Sequence, residues 1–306
     1  MSVTGIKGEI GRRKRNMIFL SQIINGLQIG SIYALVALGY SMVYGIVKLL
    51  NFAHGDIIMV GSYVLWFGLS RLGLAPWLSV IISITVCSAL GMLIEKVAYK
   101  PLRNSPKISL LITAIGVSYL LQNLSQLIFT PNPRMLPNFF PGYVSIGGAQ
   151  FAVVTIVTIA VSVVIMIGLS VMVKNTKMGK AMRAVSENSD VAQLMGINVN
   201  NTISFTFALG SGLAAVASVL YCCSYSQIEP TMGSMLGIKA FVAAVLGGIG
   251  SLPGAMLGGI IIGIFESLTK AYISSQLADA VVFGILIIVL LIRPSGILGK
   301  SIREKV

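Results

Sequence analysis

Nine apolar runs, near 18–47, 57–70, 76–95, 107–129, 151–173, 201–222, 236–249, 254–269 and 280–292, fill most of this chain. Runs of that length leave the backbone few options. About 20 apolar residues cross a bilayer as a helix, because a helix satisfies each of its amides internally. A solvated globule is excluded: 10% of the 306 residues are charged, against about 25% in soluble domains. Several runs are too short for a comfortable full span. The chain therefore reads as an all-α polytopic membrane protein with about eight transmembrane helices, some of them broken or re-entrant.

The net charge of +13 raises nucleic acid as a partner, and its distribution argues against one. Seventeen of the 22 Lys and Arg residues sit in four clusters: the 1–17 tail with RRKR, residues 95–107, residues 174–183, and the 293–306 tail. Basic clusters flanking apolar spans mark the cytoplasmic face. Both tails and both internal clusters are expected there, with the membrane-spanning body over 18–292 between them. The apolar stretch after RRKR runs far beyond a signal peptide's core and lacks an A-x-A site, so it reads as an uncleaved first span. Cys87, Cys222 and Cys223 have no metal spacing and lie in apolar surroundings, as small packing residues do.

Shared sidedness requires an even number of crossings between clusters. Two clean spans separate Lys107 from Lys174, joined by an outer loop over 130–150 with Pro131, Pro133, Pro137 and Pro141. The flanks are less simple. Three runs lie between 17 and 95, an odd number, and the first would measure about 50 Å as one helix against a hydrocarbon core of about 30 Å. A broken or non-traversing segment beside NFAHGD (51–56) is the expected repair. A second interruption, GGIGSLPGA (247–255), is too rich in Gly and Pro to continue a helix.

Non-helical backbone at membrane depth is tolerated where it is buried or lines a cavity, and paired interruptions in two halves point to a transport site. Asn51, His54, Asp56, Gly247, Gly248 and Gly250 are therefore the candidate pathway residues. For His54 and Asp56 three readings stand side by side. They cap the helix that starts at Ile57, they line the route, or they relay protons.

Residues 174–200 form the longest polar stretch inside the chain. An ordinary solvated loop accounts for that composition. Met182, Val185, Val191, Leu194 and Met195 are spaced as in short amphipathic helices, which suits docking on a cytoplasmic partner.

NGLQIGSIYALVALGYSMVYGIVKLLNFAHGDIIMVGSYV (25–64), GKAMRAVSENSDVAQLMGINVNNTISFTFALGSGLAAVAS (179–218) and AFVAAVLGGIGSLPGAMLGGIIIGIFE (240–266) resemble the LivH-type permease of bacterial branched-chain amino-acid ABC importers. The likeness covers nearly everything beyond residue 17. It implies a multi-pass protein of the bacterial inner membrane with the ABC importer permease fold. It also implies a second homologous permease subunit, two cytoplasmic ATP-binding subunits and a periplasmic substrate-binding protein. Glu187, Asp190, Ala192 and Gly196 fall in the region resembling the ATPase-docking loop. They depart from the usual E-A-A-x-x-x-G pattern, since Asn188 and Ser189 follow Glu187.

The residues themselves supply a negative. No G-x-x-x-x-G-K-[ST] stretch is present, so no P-loop for ATP exists in this chain, and no cofactor is expected in it. H-E-x-x-H and G-x-S-x-G are also missing, which argues against an intramembrane enzyme. A proton- or sodium-coupled secondary transporter is the alternative, and its supply of intramembrane acids is thin: Glu266 alone lies well inside a run beyond Asp56. The cargo, whether a branched-chain amino acid, an amide or urea, is not legible in these residues.

Overall fold

A computed structural model describes residues 3–48, 50–103, 105–137, 139–146 and 149–299, with side chains described from residue 17 onward except at 146 and 149. The helices are α1 (Val3–Val47), α2 (His54–Ser70), α3 (Pro76–Ile94), α4 (Lys107–Phe129), α5 (Val153–Asn175), α6 (Lys177–Glu187), α7 (Ser189–Leu194), α8 (Val199–Ser224), α9 (Met232–Gly247), α10 (Leu252–Tyr272) and α11 (Ala278–Ile292). A π-helical turn (Glu95–Tyr99) and a 3-10 turn (Lys100–Leu102) extend α3. Two small antiparallel pairs complete the described residues. Strand β1 (Arg134–Met135) pairs with β4 (Gln227–Ile228), and β2 (Tyr143–Ile146) pairs with β3 (Ala149–Ala152).

Among the described residues, six helices are long and apolar enough to cross a membrane. They are Met17–Val47 within α1, α3 with its extension to Leu102, α4, α5, α8 and α10. Helices α9 and α11 are apolar but shorter. Helix α2, of 17 residues, extends about 25 Å at 1.5 Å per residue. The sequence-based expectation of about eight transmembrane helices, some broken or re-entrant, meets six long helices and the shorter α2, α9 and α11 among the described residues, so the count of eight is not confirmed.

Helix α1 is the axis. Ile32 to Leu38 are buried on every side, as befits a helix apolar around its whole circumference. It packs against α10 along a glycine seam, where a Cβ on Gly26 would sit 2.7 Å from the Ile264 Cα and one on Gly30 would sit 2.9 Å from the Gly259 carbonyl oxygen. Small residues permit that approach, and in lipid close packing must supply what the hydrophobic effect cannot. By contrast α3, α4 and α5 turn Leu93, Ile112, Leu127, Val164 and Ile167 outward, the surface of a protein bathed in acyl chains.

The contacts fix direction. Ser267, near the carboxyl end of α10, donates to the Gln22 carbonyl oxygen at 2.8 Å. Gln28 of α1 donates to Ser224 at the carboxyl end of α8 at 2.7 Å. This end of the bundle also carries β1 and β4, and is the strand end. At the other end, Gly45 approaches Gly250, and α6 packs nearby; this is the loop end. The carboxyl segment returns there, with Ile297 donating to Leu246 at 2.9 Å and Leu298 to Gly247 at 2.9 Å.

The described residues do not bear out the expectation that both termini share the side of residues 174–200. Helix α1 approaches from the strand end, while residues 295–299 sit at the loop end. The odd number of runs between 17 and 95 is real, and needs no non-traversing segment to repair it.

Candidate functional site

The first interruption lies between Val47 and His54. Lys48 takes a positive φ of 54°, and the chain leaves α1 and re-enters helix at His54. Asn51 is buried and its Oδ1 accepts from the Tyr99 hydroxyl at 2.7 Å. That bond ties the break to the π-helical turn after α3. Gly55 lies against Gly233 and Gly237 of α9, so α2 and α9 touch backbone to backbone where a side chain would separate them.

Asp56 is buried and does not cap α2. The helix begins three residues earlier than Ile57, its N-cap is Ala53, and no side chain caps it. The Asp56 carboxylate instead accepts from Gln122 Nε2 of α4 at 2.9 Å, and the same amide reaches Ser234 of α9 at 2.8 Å and Ser118 at 3.2 Å. The capping reading of the sequence is replaced by a polar knot joining α2, α4 and α9. Asp56 still lies in the first turn of α2, where a negative charge suits the helix dipole.

His54 is buried with its ring 4.7 Å from that of Tyr40, edge to face. Its Nε2 has no hydrogen-bond partner. The ring presses on Gly39, where a Cβ would come within 2.8 Å of the His54 Cε1. His54 and Asp56 thus face different neighbours, one toward α1 and one toward α4 and α9.

The second interruption lies between α9 and α10. Gly248 and Gly250 have φ of 106° and 88°, values that side chains rarely adopt. Ser251 then caps α10, accepting from the Gly254 amide at 3.2 Å. Gly247 and Gly248 are buried, and a Cβ on Gly248 would sit 3.0 Å from the Ser295 carbonyl oxygen. These two glycines serve close packing under the carboxyl segment. Gly250 differs: it lines an open cavity of about 540 Å³ with Gly45, Lys48, Ser186, Glu187 and Leu298. Both interruptions, through Lys48 and Gly250, therefore meet the 174–200 segment in one cavity.

That segment is two helices. Thr176 caps α6, and Asn188 caps α7 by accepting from Asp190 and Val191 amides at 2.9 and 3.0 Å. Met182 and Val185 turn inward. Val191, Leu194 and Met195 turn outward, with Leu194 86% exposed. Gly196, at φ 83°, ends α7, and the Ile197 amide donates to the Ala192 carbonyl at 3.0 Å, as in helix ends closed by a left-handed residue. Glu187, Asp190 and Gly196 are exposed, whereas Ala192 is 3% exposed. Ala192 supports the helix pair from below and offers no contact surface.

Sequence reasoning passed over a third group. Glu266 of α10 is buried and accepts from Tyr33 of α1 at 2.7 Å, Lys239 of α9 at 2.9 Å and Lys270 at 2.7 Å. Lys239 also pairs with Asp279 of α11 at 2.6 Å. The signal was present as a lone Lys inside the apolar run 236–249. Near the loop end, Glu95 pairs with Arg103 and accepts from Ser204 of α8 at 2.6 Å, while Arg103 reaches Asn200 at 2.7 Å. This cluster pins the extension of α3 to α8.

Residues 22–291 match the family described as branched-chain amino acid transport system / permease component. The chain is 44% identical to the high-affinity branched-chain amino acid transport system permease protein BraD of Pseudomonas aeruginosa, covering 94% of this chain and 98% of that protein. It is 45% identical to the corresponding protein LivH of Escherichia coli (strain K12), covering 95% and 98%. It is 35% identical to the probable branched-chain amino acid transport permease protein LivH of Methanocaldococcus jannaschii, covering 88% and 89%. These relatives are permease components, and the ion-coupled alternative is not favoured. On this match the chain is an integral membrane protein of the branched-chain amino acid transport system permease family.

Proposed function

We propose that this chain forms half of the translocation pathway of an ATP-driven importer of branched-chain or related amino acids. A second permease subunit supplies the other half. Two cytoplasmic ATP-binding subunits dock at the loop end, and a binding protein delivers cargo at the strand end. No cofactor resides in this chain, because ATP is bound and hydrolysed by the partner subunits. The loop end is then cytoplasmic and the strand end faces the opposite side of a bacterial inner membrane. In this arrangement α1 runs inward, the short internal helix α2 returns outward, and α3, α4, α5, α8, α9, α10 and α11 alternate in direction after it, nine passes that leave residues 295–299 at the loop end.

The observation that carries this reading is the split character of 174–200. Met182 and Val185 anchor α6 to the bundle, while Val191, Leu194 and Met195 of α7 and its C-cap present an apolar face outward. A solvated loop has no use for that face, and a docking partner does. Behind it, Glu187, Lys48 and Gly250 share one cavity. A push on α6 therefore bears on the ends of α1 and α10 together.

The test is reconstitution. The tagged chain is co-expressed with its neighbouring ATP-binding, permease and binding-protein subunits, purified, and assayed for ATP-dependent leucine uptake in vesicles. Co-purification and uptake are expected, and Leu194→Asp is expected to reduce recovery of the ATP-binding subunit at least about tenfold, as loss of a well-buried apolar anchor does. Full recovery with Leu194→Asp, or uptake without ATP hydrolysis, overturns the reading.

A further inference from the structure

Between α1, α8, α9 and α10 at the strand end lies a cavity of about 500 Å³. Its size falls within the about 300–1,000 Å³ typical of small-molecule sites. Neither interruption opens into it. Its walls combine three kinds of group. Ile29, Met232, Met235 and Leu236 supply apolar surface; Glu229, Lys239, Glu266 and Lys270 supply charge; Tyr221 and Tyr225 are among the polar aromatic groups that also line it.

The charges are unevenly satisfied. Glu266 accepts from Tyr33, Lys239 and Lys270. Lys239 is held between Glu266 and Asp279. Lys270 makes one ion pair, to Glu266, and its side chain is 42% exposed, which leaves ammonium hydrogens available because a lysine carries three. Glu229 has an amide, Gln227 Nε2 at 2.6 Å, as its hydrogen-bond partner, and no ion pair to it is found among the described residues. The cavity thus offers a cation with spare donors, an anion partnered by a neutral group, and an apolar wall.

Buried and half-buried charges within a membrane protein are costly and are retained where they act. A group set of this kind matches a zwitterion with an aliphatic side chain. We propose that this cavity is a binding station for an apolar α-amino acid on the strand-end side of the pathway. Lys270 receives the carboxylate, and Glu229 with the Tyr221 and Tyr225 rings receives the ammonium, which aromatic faces attract. Met232, Met235 and Leu236 receive the side chain. The Lys239–Glu266 pair is the fixed floor that holds Lys270 in position. The proposal rests on the permease reading and adds to it a site within this subunit.

The experiment uses the assembled transporter in lipid vesicles, with Met235→Cys as a reporter and the unaltered chain as the background for Cys87, Cys222 and Cys223. Maleimide labelling of the reporter is followed with L-leucine, with 4-methylpentanoate, which lacks the ammonium, and with 3-methylbutylamine, which lacks the carboxylate. Leucine is expected to slow labelling while the other two do not. Lys270→Gln is expected to raise the leucine concentration needed by about tenfold, in line with loss of one charged hydrogen bond. If Met235→Cys does not assemble, Gln227→Cys at the rim replaces it. Labelling unaffected by leucine, equal protection by all three compounds, or unchanged protection in Lys270→Gln overturns the proposal. ATP-driven uptake by the unaltered complex is recorded beside it. Uptake without protection defeats the station alone, whereas absent uptake defeats the permease reading.

Discussion

Tyr99 donates its hydroxyl hydrogen to Asn51 Oδ1 at 2.7 Å, and both residues are buried. This one bond joins the break after α1 to the π-helical turn that ends α3, across 48 positions of sequence. Tyr99 also leans on Phe207 of α8, ring centres 5.6 Å apart. The break is therefore a fixed corner with a partner for its amide oxygen.

Tyr99→Phe removes the donor and leaves that oxygen buried and unpaired, at a cost of about 1–3 kcal/mol. A lower melting temperature in detergent is expected. Replacing both partners, Tyr99→Phe with Asn51→Leu, should recover part of the loss, because apolar pairs avoid the desolvation penalty. A single variant as stable as the parent would show that the bond carries no weight.

Sidedness gives a second prediction. Met135 is 70% exposed at the strand end and Leu194 86% exposed at the loop end. Cysteines placed there should label from outside and from inside, respectively. A tag before α1 should be cleaved by protease added to intact spheroplasts, because α1 approaches from the strand end. Protection of that tag while position 135 labels from outside would restore the shared sidedness expected from charge.

The two glycines of the second break should behave differently. Alanine at either position meets a backbone conformation that costs about 1–3 kcal/mol. At Gly248 the new Cβ would also strike Gly299 and sit 3.0 Å from the Ser295 oxygen, whereas at Gly250 the nearest atom is the Gly45 Cα at 3.7 Å. Gly248→Ala should therefore lower the melting temperature more than Gly250→Ala. Equal losses would mean that the carboxyl segment does not press on Gly248.

Several features were legible from residues alone because they depend on local chemistry. Gly and Pro mark the second break, and apolar spacing over Met182 to Met195 marks short amphipathic helices, although it does not tell the inward Met182 and Val185 from the outward Leu194. Lengths of runs give the all-helical membrane class, though not the number of spans. Sidedness is harder to read, because the basic clusters in both tails point to one side while the odd number of runs between 17 and 95 points to two. The start of α2 was missed by three residues, since Ala53 carries no capping group to announce it. Contacts between distant elements leave no local trace. Gln122 is one polar residue on a peripheral helix until α4 brings it to Asp56, and Lys239 looks out of place until α10 and α11 supply its two carboxylates.

The polar knot decides between two uses of Asp56. As a structural acceptor for Gln122, it can be replaced by an amide oxygen, so Asp56→Asn should keep most ATP-driven uptake. Asp56→Leu removes the carboxylate acceptor and sets an apolar side chain in the knot, with Gln122 left to Ser118 and Ser234. Reduced assembly is expected, with stability lower by about 1 kcal/mol, the contribution of one hydrogen bond. A proton relay requires more. It needs His54 to pass protons onward, yet its Nε2 lacks a hydrogen-bond partner and its ring is wedged between Gly39 and Tyr40. Under the relay, Asp56→Asn and His54→Gln would each abolish uptake while assembly stayed intact, and dissipating a proton gradient would stop uptake in vesicles still supplied with ATP. The expected result is the reverse: Asp56→Asn remains active, and uptake by the unaltered complex is unchanged when the gradient is collapsed. Loss of uptake on collapse, with ATP still abundant, would overturn the structural assignment of Asp56.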